Sequence, residues 1–241
     1  MKKVLKNFKG HHYLCFLDFE GTQFSHEMIA YGAVFVTIDK DGYIVKRKPS
    51  IKRFVKAKNQ IGRFVENLTG ITRLDLDRFG VPFSTAMKDL KKYCGIHFKG
   101  TTFLTFGNHD LKILGQSMSY NLDTPKDLCN IIRSNYVDLQ NIISEFIRDD
   151  HGNALSLSHY LEVFNLKFDG EAHDPEYDAI NLANLYDVFM KNTEIVLSEF
   201  KKTLAKTSFH LSPVDTAIRK LLNGEPVTPE QFEEFLKEYI A

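Results

Sequence analysis

Apolar positions along this chain follow two rhythms. The first is a series of short dense runs. "HYLCFLDFE" (12–20) and "EMIAYGAVFVTI" (27–38) are rich in β-branched and aromatic residues and bounded by turn residues, so they predict strands. "DKDG" (39–42) is a turn signal, and "YIVKRKPSIKRFV" (43–55) then predicts a third strand antiparallel to the second. Pro49 inside it marks an edge or a bulge. "TTFLTF" (101–106) is almost wholly apolar, the pattern of a parallel strand covered on both faces. "YVDLQNIISEFIRDD" (136–150) predicts a last short strand that runs into a helix.

The second rhythm is helical. "GRFVENLTGIT" (62–72) holds a short helix that stops at Gly70. Helices are predicted over 83–98, with Ser84 as N-cap, over 111–121 and over 155–166. The strongest is 175–191, with Pro175 in its first turn. Beyond about 192, "SPVDTAIRKLLNG" opens on Ser212 as a cap and Pro213 at N1 and ends in glycine. "TPEQFEEFLKEYI" has Thr228 and Gln231 at capping-box spacing and a stripe of Phe232, Phe235, Leu236 and Tyr239. The organisation expected is an α/β domain over 1–191, with a three-strand antiparallel meander plus parallel strands and helices on both faces. A C-terminal helical extension over 192–241 is expected to pack on it. Partner binding by these helices is the alternative.

With 241 residues, 43% of them hydrophobic, the chain has enough apolar surface for one substantial core. Its zero net charge conceals a division: residues 1–120 carry +10 and 121–241 carry −10. The densest basic stretch, "KRKPSIKRFVKAK" (46–58), has seven cations and no acid. It reads equally as a protected edge strand or as a phosphate-contacting patch. Cys15, Cys94 and Cys129 are odd in number and widely spaced, which argues for reduced thiols in a cytoplasmic protein and against a disulfide or zinc framework. The basic N-terminus lacks the apolar core of a signal peptide, and no run approaches the ~18 apolar residues of a membrane span.

The candidate chemistry lies at strand ends. Asp18 and Glu20 close an apolar strand, and residues at i and i+2 of a strand face the same way. Asp110 lies just past "TTFLTF", and Asp178 lies inside the helix that opens at Pro175, five residues after His173. Singly, Asp110 reads as a helix cap, Asp178 as a solvated helix residue and His173 as an exposed loop residue. Gathered at one spot, four carboxylates would repel one another and resist ionising. Divalent cations with a preference for hard oxygen ligands, Mg²⁺ or Mn²⁺, resolve that repulsion. Two such ions form the clamp for in-line attack on a phosphodiester, and a nearby histidine can take the proton of the attacking water.

These residues carry a resemblance. "FLDFEGT" (16–22), "TFLTFGNHD" (102–110) and "HDPEYDA" (173–179), with "ENLTGIT" (66–72) between the first two, resemble the motifs of the DEDDh branch of the DnaQ-like 3′→5′ exonucleases. The resemblance covers about residues 12 to 190. It implies a ribonuclease-H-like fold and release of 5′-mononucleotides from a single-stranded 3′ end with two divalent metal ions. It implies that Asp18 bridges both metals, that Glu20 and Asp178 hold the first, that Asp110 supports the second, and that His173 is the general base. Gly21, Thr22 and Gln23 would lie beside the terminal sugar, and Leu68 and Ile71 beside its base, although a core role for Leu68 and Ile71 fits the pattern as well. The meander and helical tail are most similar to stand-alone RNA-processing members, so RNA is expected over DNA. The alternatives are a DNA exonuclease of proofreading or repair type and a non-catalytic nucleic-acid-binding module. The chain departs from the family in Asp174 and Glu176, two acids that stand where Asn-Ala-Leu is common. No role follows for His26 or His109.

Overall fold

Alternation along one strand assigns the layers of this molecule. The computed structural model describes residues 2–206 and 213–240. Helix α1 (Lys2–Leu5) and a 3₁₀ turn (Lys6–Phe8) lead into strands β1 (Tyr13–Gly21), β2 (Met28–Ile38), β3 (Ile44–Arg47) and β4 (Ile51–Phe54). Helices α2 (Arg63–Thr69), α3 (Arg73–Phe79) and α4 (Phe83–Cys94) follow, then a second 3₁₀ turn (Gly95–Gly100) and β5 (Thr101–Thr105). Next come α5 (His109–Tyr120), α6 (Lys126–Ser134), β6 (Tyr136–Asp138), α7 (Leu139–Ser144), α8 (Leu157–Val163) and α9 (Pro175–Lys191). Helices α10 (Thr193–Lys206), α11 (Pro213–Leu222) and α12 (Pro229–Ile240) complete the chain. Two compact units result: Met1–Gln140 with Leu157–Lys191, and Asn141–Ser156 with Asn192–Ala241.

The first unit is an open mixed sheet in the order β3-β2-β1-β5-β6, with β4 also on β2. β1 pairs antiparallel with β2 and parallel with β5, and β5 pairs parallel with β6. The expected third strand is two strands. β3 lies opposite Val36–Ile38 and β4 opposite Ala30–Ala33 of β2. The break falls at 48–50, around Pro49, which has no N–H to give to the ladder.

Side chains of β1 alternate between two apolar layers. Cys15, Leu17 and Phe19 join a core with Phe83, Met87 and Leu90 of α4, Ile113 and Leu114 of α5, and Cys129 and Ile132 of α6. Phe16 faces the other way, its ring 5.4 Å from that of Tyr186 on α9. Asp18 and Glu20 share the parity of Phe16 and therefore point toward the α9 layer. A small separate core gathers Ile29, Ala30, Ala57, Ile61, Val65, Ile71 and Leu76 beneath α2 and α3.

Local signals explain several boundaries. Gly70 ends α2 in the left-handed conformation at φ 68°. The box at α12 forms as spaced, with Thr228 N–H donating to Gln231 Oε1 at 3.1 Å and Gln231 N–H to Thr228 Oγ1 at 3.3 Å. Ser84 is not the cap of α4. The helix begins at Phe83, and the Ser84 hydroxyl is buried and donates to the Asp123 carboxylate. The sequence pattern does not predict helices α1, α3, α6 and α10. The expected cap Ser212 lies outside the described residues, as does the side chain of Tyr239. Among the described residues, no helix is long and apolar enough to cross a membrane.

Candidate active site

β5 is shorter than β1, and the site grows out of that mismatch. The two strands pair only from Tyr13 to Phe16 on β1, so the β1 edge beyond Phe16 lacks a partner strand on this side. The start of α5 fills the gap. Asp110 Oδ1 accepts the Phe19 backbone N–H at 2.8 Å, in a buried position. The carboxylate that reads singly as a helix cap is thus pinned to β1 between Asp18 and Glu20.

From the other side, α9 lies directly on β2. A Cβ built on Gly32 would sit 1.7 Å from the Pro175 carbonyl oxygen, so only glycine admits this contact. The close approach brings the first turn of α9 to the end of β1. Ligand atoms of Glu20, His173 and Asp178 all lie within 4.8 Å of one another. The His173 backbone N–H also bonds the Asp178 carboxylate. His173 itself is exposed and holds a left-handed backbone, φ 67°.

Electrostatics here are unfavourable as they stand. Burial pushes the Asp18 carboxyl well above its ordinary range, and repulsion from Asp110, Glu20, Asp178 and Asp174 adds to it. Burial and the same neighbours raise Glu20 to about 8. Burial raises Asp110 to about 7 although the Phe19 N–H holds it down, and burial raises Asp178 to about 6. Asp18 Oδ2 is enclosed and has no hydrogen-bond partner. An orphaned carboxylate oxygen is costly in a core. A divalent cation would satisfy such an oxygen among other carboxylates. The donor set, carboxylate oxygens with one imidazole, suits Mg²⁺ or Mn²⁺.

Beside the carboxylates is a cleft of about 370 Å³, lined by Asp18, Glu20, Gly21, Thr22, Gln23, Leu68, Phe106, Asp110 and His173, among others. Ile71 does not line it. Its side chain is 3% exposed and packs in the core beneath α2, so its expected place beside a base is not where the fold puts it. Leu68, 39% exposed on α2, does reach the cleft. Gly21 serves packing as well as access, since a Cβ there would meet Ile113 Cγ1 at 2.9 Å. The Thr22 hydroxyl accepts the Glu27 N–H at 2.9 Å and bonds Ser25, holding the turn after β1. Gln23 Oε1 accepts the Phe64 N–H at 3.3 Å and so ties that turn to α2.

Two supports went unread in the sequence. Asp138 at the end of β6 accepts the Gly107 N–H at 3.0 Å, and Tyr136 donates its hydroxyl to the Gly107 carbonyl at 2.5 Å. Together they shape the turn that leads into Asp110. The strand "YVD" is the only local signal for them. His26 and His109 line the cleft with rings 5.1 Å apart, edge to face. The basic stretch is mostly consumed inside the unit. Arg47 bonds Asn184, Lys48 the Tyr93 carbonyl, Lys52 Asp174, Arg53 Asp89 and Lys58 the Tyr120 carbonyl.

An open mixed sheet of this order, with carboxylates gathered where β1 meets α5 and α9, is the ribonuclease-H-like fold of the nucleases it resembles. Residues 15–186 match the Exonuclease (RNase_T) family, and the chain belongs to that family. No curated protein matches it by sequence. The nuclease domain of 3′hExo, a DEDDh family member bound to rAMP, is similar with a TM-score of 0.57 and 21% identity, over 77% of this chain and 93% of that one. A 3′-exonuclease solved for 3′-end specific recognition of a histone mRNA stem-loop gives a TM-score of 0.60 and 21% identity, over 79% and 73%. Cell-death related nuclease 4 (CRN-4) gives 0.58 and 19%, over 77% and 64%. At these identities the likeness establishes the fold.

Proposed function

We propose that the protein is a metal-dependent 3′→5′ exonuclease that releases 5′-mononucleotides from single-stranded nucleic acid, with RNA favoured over DNA. Residues 1–191 form the exonuclease domain in this reading, and 192–241 a C-terminal helical extension. The observation that carries it is Asp18 Oδ2, a buried carboxylate oxygen with no partner among other raised carboxylates.

Asp18, Glu20, Asp110 and Asp178 would hold two divalent ions, Mg²⁺ or Mn²⁺. Bound divalent metal supplies the positive charge that neutralises these carboxylates, acidifies a water and stabilises charge developing on the phosphate. Asp110 stays fixed by the Phe19 N–H, and Asp178 by the first turn of α9. His173 is exposed beside Glu20 and Asp178, so one of its imidazole nitrogens can take the proton of the attacking water. Gly21, Thr22 and Gln23 form the wall that faces the terminal sugar, and Leu68 offers an apolar surface to the base. The cleft falls in the size range of small-ligand pockets, roughly 300–1,000 Å³. The RNA preference is supported by the ligand and subject of the two neighbours, rAMP and a histone mRNA stem-loop.

The test uses single-stranded RNA and DNA oligonucleotides, labelled at the 5′ end to show direction and uniformly to identify the product. Mononucleotides with a 5′-phosphate are expected with Mg²⁺ or Mn²⁺, faster from RNA, and none with EDTA or in Asp18→Ala. Activity that survives EDTA overturns the metal reading. Faster cleavage of DNA assigns the substrate to DNA instead.

A further inference from the structure

The loop that carries His173 is fastened by residues of its own and of a strand far away in sequence. β4 pairs with β2 so that Lys52 stands opposite Gly32. Because Gly32 has no side chain, the Pro175 carbonyl rests on β2 directly beside that pair. Lys52 Nζ therefore reaches Asp174 and donates to its Oδ2 at 2.6 Å, with the two side chains 22% and 25% exposed. The other oxygen of Asp174 accepts the Glu176 N–H at 2.9 Å, and its carbonyl accepts the Asp178 N–H at 2.9 Å. Ser50 Oγ donates to Glu176 Oε1 at 2.6 Å. The two acids at which the chain departs from its family are thus both held from residues 50–52.

His173 immediately precedes this clasp. Its left-handed backbone is one that a residue with a Cβ keeps only when its surroundings impose it. We propose that Lys52, with Ser50, is a positioning residue for His173: the Lys52–Asp174 and Ser50–Glu176 pairs hold the loop so that the imidazole stays beside Glu20 and Asp178. The inference rests on the reading of His173 as the proton acceptor. Partly exposed ion pairs contribute little to stability. Loss of the clasp is therefore expected in kcat and loop order, with little change in melting temperature.

Lys52→Met keeps the aliphatic stem and removes the charge. In the full chain with Mg²⁺ and RNA, it is expected to lower kcat about 10- to 100-fold, the scale of a misplaced catalytic group. KM and the Mg²⁺ half-saturation stay within about twofold of wild type, and Lys52→Arg recovers most of the rate. Because Lys52 acts through His173, the double variant K52M/H173A is no slower than H173A. A wild-type kcat, losses that multiply in the double variant, or a loss recovered by raising Mg²⁺ would each overturn the proposal. The last outcome would place the Lys52 charge on the carboxylate cage instead. A second readout needs no activity. Cleavage by a glutamate-specific protease after the exposed Glu171 is expected to be faster in Lys52→Met, and an unchanged rate counts against the clasp. If the wild-type protein shows no metal-dependent hydrolysis, the catalytic reading fails while the proteolysis result still decides whether the clasp orders the loop.

Discussion

Asp18 and Glu20 stand on the same face of β1, while Phe19 between them is 5% exposed and belongs to the opposite core. That arrangement was legible in the sequence, because strand geometry fixes the parity of neighbours whatever the rest of the fold does. Ile71 was not legible. An isoleucine at a helix end reads equally as core or as cleft wall, and only packing beneath α2 decides. Two predictions belong at this scale. Asp18→Asn removes a buried acid that must either carry charge among other carboxylates or take up a proton on folding, so the metal-free protein at pH 8 is expected to melt a few degrees higher. One kcal/mol corresponds to roughly 2–4 °C in a chain of this size. The same variant loses metal-dependent hydrolysis, and calorimetry beside an activity assay checks both. His173→Ala is expected to lower kcat by about 10²–10⁴-fold, the usual contribution of an acid–base group. Isothermal titration with Mn²⁺ should show metal affinity largely retained. A collapse of affinity instead makes His173 a ligand, a role that its distance from Glu20 and Asp178 also permits.

Elements meet here through what they lack. β5 ends early and leaves the Phe19 N–H for Asp110, and Gly32 lacks the side chain that would hold α9 away. The strands and α9 were legible from apolar rhythm and end signals. The division at Pro49 was half-legible, since proline predicts a disrupted strand but does not say that both halves pair with β2. Helices α3 and α6 are hard to read from sequence because such short segments give only three or four apolar positions each. The role of Gly32 was hidden because a glycine in a strand has several meanings and the contact partner is far away in sequence. Gly32→Ala puts its Cβ against backbone, which cannot rotate aside. Overpacking of this kind typically costs about 1–3 kcal/mol. Denaturant unfolding is expected to show that loss. Assays are expected to show a larger fractional loss of hydrolysis, because the displaced element carries Asp178 and follows His173.

Across the whole molecule, acidic groups raised by burial make stability depend on pH. A carboxyl whose folded pKa lies above its unfolded value binds more protons in the folded state, so stability falls as pH rises through that interval. For Asp178 at about 6, Asp110 at about 7 and Glu20 at about 8, the metal-free protein should lose stability from about pH 4 up to pH 8. In the proposed function divalent metal binds the ionised cluster, so the rise in melting temperature on adding Mn²⁺ should grow over the same interval. Scanning calorimetry at pH 5, 6.5 and 8, with EDTA or Mn²⁺, checks the sign. A metal-induced shift that shrinks with pH would contradict the carboxylate cage. At this scale the +10 charge of residues 1–120 takes on another meaning. Five of the seven cations of the 46–58 stretch are engaged along the surface, where they tie strands to helices and loops.

Sequence alone determined the strands and helices with long apolar rhythm, the shared face of Asp18 and Glu20, and the set of acids and histidine with strand-end or helix-start signals. These follow from local geometry, which depends on near neighbours in the chain. Tertiary structure alone decided that Asp110 is pinned by β1, that Ile71 is core while Leu68 faces the cleft, and that Lys52 pairs with Asp174 beside His173. Each of these depends on a partner tens of residues away or more, and no local periodicity records which distant segment will fill a given space.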